Sequence, residues 1–222
     1  TLKAYNRLLE LKKRIVNGED FAVVAKSKNS SEDPSAATNG GDLGYFTAFQ
    51  MVYPFEETAY NTSKGEVSDP FRSKYGYHIL QVTDTRPARG SIRVAHLMVG
   101  TPQGTSAADM TSAEKKINEI YNKLKDSLTE DYWGDMVRKY SDDPSSSKKA
   151  GELPMFGSGS AQRMVPTFED AAFALENDGA ISAPVRTDFG FHILKRLSWT
   201  GIKPFEEMKK ELQKKVNKDE RS

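Results

Sequence analysis

Imidazole is the side chain best suited to hold or pass a proton near neutral pH, and this chain of 222 residues has three. Two stand in near-identical surroundings, His78 in "YGYHIL" (75–80) and His192 in "FGFHIL" (189–194). The third, His96, lies in "SIRVAHLMV" (91–99). Two aspartates also hold matched positions, Asp33 in "SEDPS" and Asp143 in "SDDPS". After each comes the same apolar series: Leu43, Met51 and Phe55 after the first, Leu153, Met164 and Phe168 after the second. A lone Met or Phe usually fills a core, and a lone histidine on an apolar strand is usually structural. Recurrence of the whole set in one order is different. An imidazole, a carboxylate and three apolar side chains describe a shallow apolar cleft with a polar floor.

The recurrence is a duplication. "GEVSDPFRSKYGYHIL" (65–80) matches "GAISAPVRTDFGFHIL" (179–194) without a gap at an offset of 114. "QMVYPFEETAY" answers "RMVPTFEDAAF" at 113, and "GDLGYF" answers "GELPMF" at 110. Two small insertions explain the drift, one being "GSGS" at 157–160, read as a flexible surface loop, the other a single residue near Asn177. A period this long exceeds the 20–50 residues of solenoid repeats, so the chain holds two copies of one domain.

The elements that must position these residues follow from periodicity. "SIRVAHLMV" alternates as a strand, with Val94, His96 and Met98 on one face, and has no counterpart before Thr1. Copy one opens on a helix with Leu8, Leu11 and Ile15 as its stripe and a stop at Gly18; copy two has Ile117, Ile120, Tyr121 and Leu124 in that place. Short helices are expected at Phe21–Lys26, around Phe55–Tyr60 and at the matching sites of copy two. "YHILQVT" and "FHILKRL" read as closing strands. Each copy is thus α+β, a small sheet with several helices. The spacing predicts domains over 1–86 and 91–198, a linker at 87–90 ("PARG"), and a C-terminal amphipathic helical tail over 199–222, where Phe205, Met208, Leu212 and Val216 share a face.

Several chemistries are disfavoured. There is no cysteine, hence no thiol nucleophile or disulfide. Three histidines spread over two copies, without helical His–Glu spacing, make a poor metal set. No Gly-x-Ser-x-Gly elbow accompanies a histidine, and "GSGSAQ" lacks the lysine of a phosphate loop. A net charge of +1 gives no global field for nucleic acid. No stretch approaches the ~20 apolar residues of a membrane helix. Thr1 reads as a mid-chain residue rather than a natural start.

Taken together, the Asp33 motif, "GGDLGYF", "QMVYPFEE", "GEVSDPF" and "YGYHILQV", with "VAHLMV" as first strand, resemble the parvulin-type peptidyl-prolyl isomerases, twice in tandem, up to Ser198. The resemblance implies two antiparallel sheets of about four strands, each flanked by about four helices. It places paired histidines on His96 and His192, the acid on Asp143, the proline pocket on Leu153, Met164 and Phe168, and a hydroxyl on Thr187. In copy one it implicates Asp33, Leu43, Met51, Phe55, Ser73 and His78, with the partner histidine on an opening strand missing from the chain.

It further implies catalysis of X–Pro rotation in unfolded or folding proline-containing polypeptides, without cofactor or metal, in a bacterial periplasm or cell envelope, alongside further domains upstream of the same chain. The alternative is a non-catalytic chaperone module gripping unfolded clients through both clefts. Two departures matter. Copy two has Pro154 where the family has glycine, and the loop from Gly100 to Met110 has no basic residue for a phosphate.

Overall fold

The computed structural model of the chain describes residues 2–34, 36–158, 160 and 162–218. It divides into two compact units, one running to Pro87 and resuming at Lys203, the other spanning Ala88–Ile202.

Unit 1 opens on α1 (Leu2–Val16), whose stripe buries Ile15. α2 (Phe21–Lys26) starts where the Asp20 carboxylate accepts the Val23 N–H at 2.9 Å, the usual satisfaction of an orphan donor in a first turn. α3 (Ala36–Asn39) and α4 (Tyr53–Asn61) follow, the latter with Pro54 in its first turn. A hairpin of β1 (Phe71–Ser73) and β2 (Gly76–His78) pairs Phe71 with His78 and Ser73 with Gly76.

Here the structure departs from the expectation of about four strands. Among the described residues unit 1 has two, and the closing strand expected over "YHILQVT" stops at His78, Gln81 making only an isolated bridge to Val67. A strand persists only while a neighbour receives its backbone groups. From Ile79 onward one edge is served by residues 65–68, through Ser68 N–H to Leu80 O at 2.8 Å and Val82 N–H to Glu66 O at 3.2 Å.

Unit 2 shows what the duplicated architecture becomes with a central strand. β3 (Ser91–Gly100) is flanked by β4 (Phe156–Gly157) and β6 (Gly190–Thr200), and β5 (Val185–Thr187) completes the antiparallel order β4-β3-β6-β5. Gly157, expected in a surface loop, is instead a strand residue paired with Ser91; of the rest of that stretch, Gly159 lies outside the described residues.

Both faces of the sheet are covered, so β3 is buried on both sides. α5 (Ala107–Asp126), capped by Ser106, and α6 (Glu130–Tyr140), capped by Thr129, lie on one face. There Ile117, Ile120, Leu124, Trp133 and Val137 pack on Ala95, Leu97, Val99, Phe191 and Ile193. α7 (Pro166–Phe173) covers the other, with Phe168 and Ala172 against Ile92, Val94, Phe156 and Leu194. Each such aliphatic or aromatic side chain contributes roughly 1.5–3 kcal/mol on burial. Strand alternation then puts His96 and His192 on the α7 face.

The boundaries are tighter than composition suggests. Of the expected linker, Ala88–Gly90 group with unit 2. The Arg89 guanidinium donates to Glu169 Oε1 and Asp170 Oδ1, both at 2.9 Å, and lies 4.3 Å over the Phe173 ring. Trp199 and Thr200, expected to open the tail, still belong to β6, and Trp199 Nε1 donates to Arg89 O at 2.9 Å. The tail helix itself is α8 (Phe205–Val216), grouped with unit 1, where Lys215 Nζ lies 5.9 Å over the Phe49 ring.

Gly151 is among the glycines required by packing rather than by a turn alone. Gly151 has φ +80, and a Cβ there would stand 2.1 Å from the carbonyl oxygen of His96. Gly179, at φ +87, has nothing within 4 Å. Gly179→Ala should therefore cost only the left-handed penalty of roughly 1–2 kcal/mol, whereas Gly151→Ala must displace β3 and should cost clearly more. Both tryptophans, Trp133 and Trp199, lie in unit 2, so urea unfolding followed by tryptophan fluorescence compares the two; equal losses would refute the close-packing argument.

Candidate active site

Register decides the site. β3 and β6 pair His96 with Leu194 and Met98 with His192, so the two imidazoles are diagonal neighbours on one face, within reach of each other. Their planes are 15° apart with centroids 5.5 Å apart, while the Nδ1 atoms are 3.3 Å apart. The nitrogen contact is shorter than the centroid separation by nearly two ring radii, so the rings meet edge to edge rather than face to face.

The chain of contacts runs in both directions. His96 Nε2 lies 2.8 Å from Asp143 Oδ2 and 3.0 Å from Ser146 Oγ. Ser146, itself 1% exposed, donates a short hydrogen bond to the same Oδ2, and Ser145 serves Oδ1 through its N–H at 3.0 Å and its hydroxyl at 2.7 Å. At the far end Thr187 Oγ1 is 2.7 Å from His192 Nε2 and accepts the Phe189 N–H at 3.1 Å.

These partners assign the protons. Burial pushes the Asp143 carboxyl up, but the donors Ser146, His96 and Ser145 outweigh it and hold the group below the usual carboxylate range. An ionised Asp143 needs a proton on His96 Nε2, leaving Nδ1 bare when the ring is neutral. His192 then gives its Nδ1–H to His96 and accepts the Thr187 hydroxyl at Nε2. One direction of donation, from Thr187 to Asp143, satisfies every contact. Neutrality is favoured throughout. Burial lowers His96, only partly offset by Asp143, and burial with the neighbouring His96 lowers His192 to about 4.

Above this polar row lies the apolar wall. The Phe168 ring stands edge-on to both imidazoles, 5.8 Å from His96 and 5.3 Å from His192. Leu153 and Met164, half-buried, pack in the same cluster, and Leu153 is tied to β3 by its N–H to Val94 O at 3.0 Å. Pro154, one residue on, interrupts none of this. It does forbid the left-handed backbone that its counterpart Gly44 adopts at φ +60.

Unit 1 holds half of the arrangement. Ser73 Oγ is 2.7 Å from His78 Nε2 and accepts the Tyr75 N–H at 3.1 Å, as Thr187 does in unit 2. Phe55 stands edge-on to His78 at 5.7 Å, with Phe71 at 5.4 Å, and burial lowers His78 below its ordinary value. Met51 and Leu43 are half-buried nearby in sequence, and the Met51 N–H donates to Glu56 at 2.9 Å. Asp33 is exposed, its own N–H held by Ser31 Oγ at 3.1 Å. Within unit 1 the single histidine is His78.

Sequence reasoning missed two groups. Ser146 escaped because its aligned residue in copy one is Ala36, so comparing the copies hides it; the turn-forming run "DPSSS" was the available signal. Glu56, 2% exposed, accepts the N–H groups of Gln50 and Met51 at 2.8 and 2.9 Å and so shapes the loop before α4. Its signal was an acid in a helix's first turn. Among the described residues no group of three or more His, Cys, Asp or Glu side chains could hold a metal ion, and no helix is long and apolar enough to cross a membrane.

The buried neutral histidines set a pH dependence. A group whose folded pKa is depressed contributes fully above its unfolded value and loses that contribution as pH falls toward the folded one. For His192 this window runs from about 6.5 down to about 4. Lowering the pH from 7.5 to 4.5 should cost unit 2 about 2–3 kcal/mol through this residue, seen as a fall in the urea midpoint of tryptophan fluorescence. His192→Gln should narrow that fall; an unchanged pH dependence in the variant would show that His192 is not held neutral.

A family model described as rotamase, the PPIC-type PPIase domain, matches residues 1–84 and 96–198. The chain is 32% identical over 200 residues to the chaperone SurA of Chromohalobacter salexigens, covering 87% of this chain and 43% of that protein. It is 53% identical over 75 residues to the foldase protein PrsA of Geobacillus kaustophilus, covering 34% and 26%. Among solved structures, PrsA from Bacillus cereus aligns at 34% identity with a TM-score of 0.44, over 59% of this chain and 43% of that one. The chain thus spans less than half the length of these curated relatives. With two matched regions that meet the duplicated motifs, the chain belongs to the PpiC-type rotamase family, the parvulin peptidyl-prolyl isomerases.

Proposed function

We propose that unit 2 accelerates rotation about X–Pro amides of unfolded or folding polypeptides. The observation that carries this reading is the pairing of an apolar wall, Phe168 with Leu153 and Met164, with two buried neutral imidazoles. The barrier to rotation, about 18–20 kcal/mol, is the loss of amide resonance. No bond is made or broken, so neither nucleophile nor cofactor is needed.

In this reading Phe168, Leu153 and Met164 hold the pyrrolidine ring while the preceding carbonyl swings. Taking that carbonyl out of water disfavours its planar, dipolar form relative to the twisted one. Each 1.36 kcal/mol of such differential stabilisation is worth about tenfold in rate. Thr187, His192, His96, Ser146 and Asp143 act together, a directed row that keeps the cleft floor in one protonation state. Asp143 serves as the anchor of that row and forms no covalent bond to substrate.

Unit 1 is proposed as a binding module. It keeps the Phe55–His78–Ser73 half, yet Ala36 stands where unit 2 has Ser146. Two clefts on one chain would hold an extended client with more avidity than either alone. The SurA and PrsA relatives support a chaperone or foldase acting in a bacterial periplasm or cell envelope as part of a longer chain.

A protease-coupled isomerase assay on a prolyl peptide, run beside an aggregation assay on an unfolded client, tests this reading. Phe168→Ala should lower kcat/KM at least tenfold, with Met164→Ala, at a half-buried site, losing several-fold without loss of fold by circular dichroism. Phe55→Ala should leave isomerase turnover in place while weakening protection of the client. Full turnover in Phe168→Ala would sink the pocket assignment.

A further inference from the structure

The hairpin tips beside the two histidines share a backbone and carry opposite charge. In unit 2 the tip between β5 and β6 is Asp188–Phe189. The Phe189 N–H donates to Thr187 Oγ1 at 3.1 Å and its carbonyl accepts the Thr101 N–H at 3.0 Å, yet the residue is 63% exposed. In unit 1 the tip is Lys74–Tyr75. The Tyr75 N–H donates to Ser73 Oγ at 3.1 Å, and the residue is 76% exposed. In both units the hydroxyl that holds the tip is the one 2.7 Å from the histidine Nε2.

Two features set these rings apart from scattered surface apolar residues. They recur at the same place in both copies, and each is fixed in backbone by the group that also orients the imidazole. The residue before each ring is exposed and charged, but lysine in one unit and aspartate in the other. In unit 1 Lys74 Nζ lies 5.3 Å over the Tyr75 ring. In unit 2 a second carboxylate approaches the same lip, for Asp142 Oδ2 accepts the Gly100 N–H at 3.0 Å, next to the Thr101 that holds the Phe189 carbonyl.

We infer that each tip reads the client residue beside the proline, the exposed ring lying along its side chain and the adjacent charge selecting its sign, so that unit 2 favours a cationic flank and unit 1 an acidic one. This rests on the peptide-binding reading of the clefts. Aromatic faces accept aliphatic and cationic side chains alike, so the ring supplies contact and the charge supplies discrimination. Two tips of opposite sign would let one chain engage client segments of either charge. Because the charges are exposed, the discrimination is modest and is screened by salt.

The test uses the 222-residue chain and two proline peptides identical but for Lys or Glu immediately before the proline, titrated with residue-resolved NMR at low salt. Shifts at Phe168 and Phe189 should give about threefold tighter binding of the Lys peptide, and those at Phe55 and Tyr75 the reverse, with both preferences fading at about 1 M salt. Asp188→Lys should invert the order in unit 2 alone. Equal affinities for the two peptides in each unit, or an order in unit 2 that Asp188→Lys leaves unchanged, would overturn the inference. If neither peptide shifts Phe168 or Phe55 at all, the cleft reading itself fails and this inference with it.

Discussion

The structure of unit 2 depends on one contact, the edge-to-edge meeting of His96 and His192 across β3 and β6. Two imidazoles side by side in an apolar interior are tolerated only if both are neutral and every ring nitrogen is satisfied. Burial supplies the neutrality. Thr187 at one end and Asp143 at the other supply the missing partners. An ionised carboxylate in a half-buried position needs donors of its own, which Ser145 and Ser146 provide. Gly151 exists for the same contact, because the loop carrying these groups must approach the backbone of His96 more closely than any side chain allows.

Comparing the two units shows which parts of the arrangement are separable. The hydroxyl, imidazole and edge-on phenyl ring recur in both, on a two-stranded hairpin in one and a four-stranded sheet in the other. That half is local, built from residues within a few positions of one another plus one helix. The acid half is not local. It needs a central strand to carry His96 and a loop docked on that strand to carry Asp143 and Ser146. In unit 1 Ala36 stands where unit 2 has Ser146, and the hydroxyl, imidazole and phenyl contacts are kept. In unit 2 the Arg89 clasp fastens the chain ahead of β3 to the helix that bears Phe168.

Much of this was legible in the chain itself because duplication supplies an internal comparison. The matched order of Asp, Leu, Met, Phe and His marked the residues proposed for the cleft, and the alternation in "SIRVAHLMV" put His96 on the face that α7 covers. The same comparison concealed what differs between the copies. Ser146 aligns with Ala36, and Glu56 works through backbone N–H groups that no side-chain pattern reveals. The strand count failed for a related reason: "YHILQVT" has strand composition, but composition does not supply a neighbour.

The sequence by itself determined the duplication, the mixed antiparallel architecture and the helix stripes, because periodicity and local propensity act over a few residues. Only the tertiary structure decided the register that sets His96 diagonal to His192, the direction of the proton row, and the approach of Asp143 and Ser146 to His96. Those depend on contacts between residues 47 to 96 positions apart. At that range backbone pairing and close packing, rather than any residue's own preference, fix which groups meet.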